Sequence, residues 1–168
     1  MAMGMVAFSA VLLRTDNPWL SLIAALAVGF LIGLSNGLIV VKLAIPSIVV
    51  TIGTQFFWRG AVLILTGGSG VSLVSVKNTT FHSLMVGRIG GYLPMQMVWA
   101  IIMAMAMWLL LNRHRLGAHV YLTGDNEQSA RLMGVNVDRT RMLVFAIVGV
   151  AAVLGGVLSS LEVSYFWH

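Results

Sequence analysis

Residues Trp19 to Val41 read WLSLIAALAVGFLIGLSNGLIVV, a stretch without one charged side chain. About 20 mostly apolar residues in an α-helix cross the roughly 30 Å hydrocarbon core of a bilayer, and this stretch meets that length. Within it Gly29, Gly33 and Gly37 recur every four residues on one helix face. Such a small-residue stripe lets a second helix approach closely, so helix packing within a bundle is the expected use, with a subunit interface as the alternative.

Working outward, three more stretches have spanning length: Leu43 or Pro46 to Thr66, Leu93 to Leu111, and Met142 to Leu161. Met1 to Leu13 is apolar but too short to cross alone. It lacks a basic residue ahead of it and a small-residue cleavage pattern before Arg14-Thr15-Asp16-Asn17-Pro18, so it reads as the end of a longer helix rather than a signal peptide. Pro18, Pro46 and Pro94 each fall where a first helical turn tolerates a missing N–H. The expected fold is therefore all-α: a polytopic membrane helical bundle of four full spans plus one partial N-terminal helix, forming one domain over residues 1–168.

Composition points the same way. The 168 residues are 59% hydrophobic and 9% charged, where a soluble domain carries about 25% charged residues; the mean hydropathy is +0.96. Zero cysteines exclude a disulfide framework and a catalytic thiol. The 11 methionines read as packing residues rather than metal ligands, and no metal site is expected. The net charge of +5 does not indicate nucleic acid, because the basic residues sit between apolar runs rather than on a polar face.

Those basic residues set an orientation. The 112–141 loop carries Arg113, Arg115, Arg131, Arg139 and Arg141, which places it in the cytoplasm by the positive-inside rule. Alternation then puts Lys42 inside and Arg14, Lys77 and Arg88 outside, with the N-terminus cytoplasmic and the C-terminus outside. The 67–92 segment, rich in Gly, Ser, Thr and Asn, falls outside; its semi-apolar middle, Phe81 to Val86, reads as an interfacial or re-entrant piece.

Two polar groups stand out. In the inside loop, Asp125 or Asn126 can cap a helix, Gln128 completes a capping box with Asp125, and Gly134 is a natural left-handed stop after Glu127 to Met133. A short rigid helix there either presents a surface to a partner or lies at the membrane interface. In the second full span, Thr51, Thr54, Gln55 and Arg59 share one face. Together with Asn36 of the first span they are candidates for a hydrophilic substrate path, although Arg59 is near enough to the span's end to snorkel out.

Ser35-Asn36-Gly37-Leu38-Ile39, the run Ile45 to Thr54, Arg59-Gly60 and above all Gly124-Asp125-Asn126-Glu127-Gln128-Ser129-Ala130-Arg131-Leu132-Met133-Gly134-Val135 resemble the permease subunits of ABC importers for ribose, xylose and related monosaccharides. The resemblance covers nearly the whole chain, although family members are usually longer, with more spans. It implies a bacterial inner-membrane protein that passes a monosaccharide by alternating access. Implied partners are an ABC ATPase subunit, which would bind ATP and Mg, a periplasmic sugar-binding protein, a second permease subunit in a homodimer, and membrane lipid. It also implies that Gly124, Asp125, Asn126, Glu127, Ser129, Ala130, Arg131 and Gly134 form the ATPase-coupling element, with Glu127 and Ser129 facing outward. The competing classes are a truncated, transport-inactive membrane fragment and a passive channel or pore, which needs a polar face sustained over several helices.

The chain carries no phosphate-binding Gly-Lys-Ser/Thr turn. Gly67-Gly68-Ser69-Gly70 matches an intramembrane serine protease string, but His82, His114, His119 and His168 lie in loops or at the terminus, away from where a membrane dyad needs a base. No enzymatic activity is expected of this chain. The sequon Asn78-Thr79-Thr80 is a weak three-residue match. The arginine count makes a direct prediction: a cysteine at Ser129 is labelled by a membrane-impermeant thiol reagent in inverted vesicles and not in intact spheroplasts. Labelling in spheroplasts would reverse the topology.

Overall fold

A computed structural model of the chain describes residues 2–68, 79–89 and 93–163. Eight helices run in the order α1 (Ala2–Thr15), α2 (Pro18–Leu43), α3 (Ser47–Thr66), α4 (Thr80–Val86), α5 (Met95–Arg113), α6 (Arg115–Asp125), α7 (Glu127–Leu132) and α8 (Val137–Val163). A two-residue antiparallel ladder, β1 (Arg88–Ile89) against β2 (Leu93–Pro94), leads into α5. By length and composition α2, α3, α5 and α8 can each cross a membrane, and α1 is a shorter apolar helix. The expected all-α membrane bundle is the fold observed, with four helices of spanning length and a shorter apolar first helix.

The helix starts follow local chemistry. Pro18 is the first residue of α2, whose preceding Asn17 accepts the Trp19 N–H on its side chain at 3.2 Å. Pro46 and Pro94 immediately precede α3 and α5. α8 begins five residues ahead of the expected Met142, at Val137. Asn136 Oδ1 accepts the Arg139 N–H at 3.0 Å, capping a polar first turn that hydropathy does not register. α2 ends at Ala44, which holds a left-handed φ of 52°, a conformation that costs a residue with a Cβ about 1–2 kcal/mol.

The bundle is organised around α2 and α8. Gly29 faces Gly149 and Val153, Gly33 faces Phe145 and Ala146, and Gly37 faces Met142. Rising numbers on one helix thus meet falling numbers on the other, so the two run antiparallel. A Cβ on Gly29 would lie 2.8 Å from the Gly149 carbonyl oxygen, one on Gly37 would lie 2.9 Å from Met142 Cα, and one on Gly33 would overlap the Phe145 carbonyl oxygen. Backbone meets backbone along this seam. Gly149 supplies the reciprocal small position, since a Cβ there would run into the Gly29 carbonyl oxygen.

α1 packs on the same pair, with Gly4 against Val153. Phe8 and Leu12 join Ala25, Val157 and Leu161 in the main core. The 67–92 segment is described in part, residues 69–78 and 90–92 lying outside the described residues together with Ser69 and Asn78 of the two short motifs. Its α4 is inserted into the bundle rather than laid upon it. Phe81, 2% exposed, stacks on Phe8 at 6.3 Å and meets Trp19 edge-on at 5.0 Å. His82 Nε2 lies 3.3 Å from the Leu161 carbonyl, and Trp99 Nε1–H donates to the Leu84 carbonyl at 3.2 Å. Gln96 Nε2–H donates to Glu162 Oε2 at 2.9 Å and to the Leu158 carbonyl at 3.2 Å, joining α5 to the end of α8.

The seam predicts a contrast. Gly33→Ala is expected to cost about 1–3 kcal/mol, as overpacking does, read as earlier unfolding of the purified protein in a denaturing-detergent titration. Gly60→Ala, on α3 with open space where a Cβ would point, is expected to be neutral or to stabilise by up to about 1 kcal/mol. Equal behaviour of the two variants would dismiss the seam.

Candidate functional site

Between α5 and α8 the chain folds two helices where its composition shows only a polar loop. α5 turns sharply at His114, whose Nδ1 accepts the Leu116 N–H at 3.2 Å and starts α6. Gly117 sits so close to the Leu111 carbonyl that no Cβ fits. Asn126 then closes one helix and opens the next: its N–H donates to the Leu122 carbonyl at 3.2 Å, and its Oδ1 accepts the Ser129 N–H at 3.0 Å. α7 ends when Gly134 takes a φ of 81°. The Val135 N–H returns to the Ala130 carbonyl at 3.0 Å and the Gly134 N–H to that of Arg131 at 3.1 Å, a glycine stop of the kind that satisfies the last carbonyls of a helix.

α7 is fastened to the first turns of α8 in two ways. Ala130, Val135 and Val137 form a small apolar cluster of their own. Four charges then bridge the helices: Arg131 donates to Glu127 at 3.0 Å and to Asp138 at 2.7 Å, while Arg141 grips Glu127 at 2.7 and 3.4 Å. Glu127 and Arg141 also line a cavity of about 540 Å³ against Ile45, Pro46 and Ser47, at the turn between α2 and α3. Exposed single ion pairs contribute little to stability; here the four charges interlock, and each end of α7 is fixed to α8 by a different carboxylate.

The network leaves an electrostatic mark. Hydrogen bonds from Arg131 first, and then from Arg141, hold the Glu127 carboxyl below its ordinary value. Hydrogen bonds to Asp138 and then to Glu127 raise the Arg131 guanidinium above its own.

The opposite face of α7 is bare. Leu132 is 89% exposed and Met133 68% exposed, Ser129 is exposed beside them, and Tyr121 and Leu122 of α6 are uncovered as well. α7 thus presents an exposed apolar tip beside its charged base.

Several sequence-based assignments change. Asn126, not Asp125, caps α7; Asp125 is the last residue of α6, and the Asp125–Gln128 capping box does not form, because the capped N–H belongs to Ser129. Glu127 is not a free outward carboxylate: it stays 38% exposed but is paired with Arg131 of its own helix and with Arg141 of α8. Ser129 does face outward, Ala130 is buried at 1% exposure, and Gly124 is exposed in open space. Asp138 and Arg141 were missed as members of the site. Only the acid and base placed seven and fourteen positions after their partners hinted at them, and that spacing means nothing until the chain folds back.

Thr51 donates to the Ser47 and Ile48 carbonyls and Thr54 to those of Val50 and Thr51, so both hydroxyls are spent on their own helix. Gln55 and Arg59 are exposed. Asn36 Oδ1 is buried with no hydrogen-bond partner among the described residues. Nor does any described set of three His, Asp or Glu side chains gather as a metal site would.

The chain matches the family of branched-chain amino acid transport system permease components over residues 1–167. It belongs to that family. Among curated relatives it is 38% identical over 145 residues to the autoinducer 2 import system permease protein LsrC of Enterobacter sp. (strain 638), covering 86% of this chain and 41% of that protein. It is 37% identical over 147 residues to the LsrC proteins of Yersinia pestis (strain Pestoides F) and Yersinia pseudotuberculosis serotype O:1b (strain IP 31758), covering 86% of this chain and 40% of each. The chain thus spans about two fifths of the length of these relatives. No solved structure matches it. The resemblance to sugar-importer permeases, read first from the Gly124–Val135 block, agrees with this membership.

The Glu127 network is expected to respond to acid. A carboxyl whose folded pKa is depressed contributes stability that is full above its ordinary value of 4.5 and lost as pH falls through the lowered one. Hydrogen exchange across 127–132, corrected for intrinsic rates, should therefore rise in that acidic window for the wild type. Glu127→Gln should show the raised exchange at every pH. A wild-type profile that is flat through the window would remove Glu127 as the anchor.

Proposed function

We propose that this chain acts as the transmembrane permease subunit of a binding-protein-dependent ABC importer, translocating a monosaccharide or a sugar-like solute across the bacterial inner membrane. The observation that carries the reading is α7: a short helix outside the spans, with an exposed Leu132–Met133 tip and a charged base locked to the first turns of α8. The names of the relatives, import system permeases for autoinducer 2, support import as the direction and a small polar solute as the cargo.

In this mechanism ATP and Mg are bound by an ABC ATPase in a partner chain, and a periplasmic sugar-binding protein delivers the solute. A second permease subunit, a copy of this one, completes the pathway. The N-terminus lies in the cytoplasm and the C-terminus in the periplasm, as the arginine-rich 112–141 loop requires. When the ATPase subunits close, the groove that holds Leu132 and Met133 carries α7 with it. The Glu127–Arg141 and Arg131–Asp138 pairs pass that displacement to α8. Because α8 and α2 meet backbone to backbone at Gly33 and Gly149, the two spans move as one body. The site contains no nucleophile–base pair, and the chemistry of hydrolysis stays with the partner.

Two variants separate docking from transmission. Leu132→Glu is expected to abolish co-purification of the ATPase and reduce solute uptake at least tenfold, with normal membrane insertion. Arg131→Glu, which sets like charges against Glu127 and Asp138, is expected to leave the ATPase bound and hydrolysing while uptake in vesicles falls. Undiminished uptake by both variants would defeat the coupling role of α7.

A further inference from the structure

α5 is a bilayer-length helix with no buried residue, yet one of its faces is not featureless. Ile102, Met105, Leu109 and Leu110 line a groove of about 620 Å³ that ends against Arg113 and His114 at the turn into α6. The spacing of three and four residues keeps these side chains on one face. From Ile102 to Arg113 the helix rises about 16 Å at 1.5 Å per residue, which is half of the roughly 30 Å hydrocarbon thickness. The groove therefore has the length of one leaflet, apolar along its wall and cationic only at its mouth.

The mouth is uncompensated. Arg131 and Arg141 are paired with carboxylates, whereas among the described residues no carboxylate lies within ion-pair distance of Arg113 or of Arg115 one residue beyond the turn. His114 adds a directed donor: with Nδ1 accepting from the Leu116 N–H, the ring proton resides on Nε2, free to meet an acceptor. Arg113 and His114 close the end of a leaflet-long apolar trough, and Arg115 follows next in the chain; together they match one class of molecule, an amphiphile with an anionic head and acyl chains.

We propose that the α5–α6 corner is a binding site for an anionic phospholipid, whose phosphate sits at Arg113 and His114 in the field of the neighbouring Arg115 and whose acyl chain lies along Ile102, Met105 and Leu109. Basic pockets at helix ends recognise such headgroups. A zwitterionic lipid offers the same phosphate but carries its own ammonium into the arginines, so the site discriminates by net charge. This inference is independent of the transport reading, since it requires only that α5 lie in a bilayer.

The test is native mass spectrometry of the full chain, purified in detergent and offered phosphatidylglycerol and phosphatidylcholine in equal amounts. The wild type is expected to retain phosphatidylglycerol in preference. Arg113→Gln with Arg115→Gln should reduce that preference by about five-fold per arginine, the lysine pair at the same positions should keep it, and Met105→Trp, which fills the trough, should lose it with the charges intact. Arg139→Gln, which removes an exposed arginine of α8, should bind as the wild type does. Equal retention of the two lipids by the wild type would overturn the proposal, as would an Arg139→Gln loss as large as that of the double variant. A Met105→Cys protein that forms disulfide-linked pairs of this chain in native membranes would also overturn it, by giving the trough to protein instead.

Discussion

Everything in this bundle leans on the contact of two backbones. In lipid, apolar surface gains nothing by leaving its surroundings, so helices associate through close packing and polar contacts. The α2–α8 seam supplies the close packing: Gly29, Gly33 and Gly37 remove side chains from one helix, and Gly149 does so from the other, at the level of Gly29 and Gly33. α1 adds itself through Gly4 on Val153, and α4 closes one end by placing Phe81 between Phe8 and Trp19.

The seam gives the α7 attachment its meaning. A helix fastened by ion pairs to a loosely held span would move that span alone. α7 is instead fastened to α8, whose middle is locked to α2, and the same ion pairs border the α2–α3 turn through the cavity at Ile45 to Ser47. In the coupling role proposed for α7, a force applied at Leu132 would reach two spans and the connection to a third. The links are of two kinds. Apolar burial of Ala130, Val135 and Val137 fixes where α7 sits, and the directional guanidinium–carboxylate bonds of Arg131 and Arg141 fix its orientation.

α3 and α5 stand apart from this body. α5 has no buried residue, and α3 buries only Val50 and Val62, so both present most of their apolar surface outward. The polar side chains of α3 share this setting: Thr51 and Thr54 satisfy themselves on their own carbonyls, which makes them tolerable in lipid without assigning them a path.

The spans, the prolines that open them, the glycine stripe and the capped helix at Asn126 were legible because each depends on residues within one or two turns of one another. Hydropathy, caps and turn residues act locally, and the chain states them in order. Even there, α6 and the first turn of α8 escaped, since their polar residues look like loop until a cap and a neighbour give them a face. What only the tertiary structure decided were the pairings: which helix the glycine stripe receives, that Phe81 enters the core, and that Glu127 pairs with Arg141. Those outcomes rest on contacts between residues far apart in the chain, and a sequence states which charges and which gaps exist without stating which of them will meet.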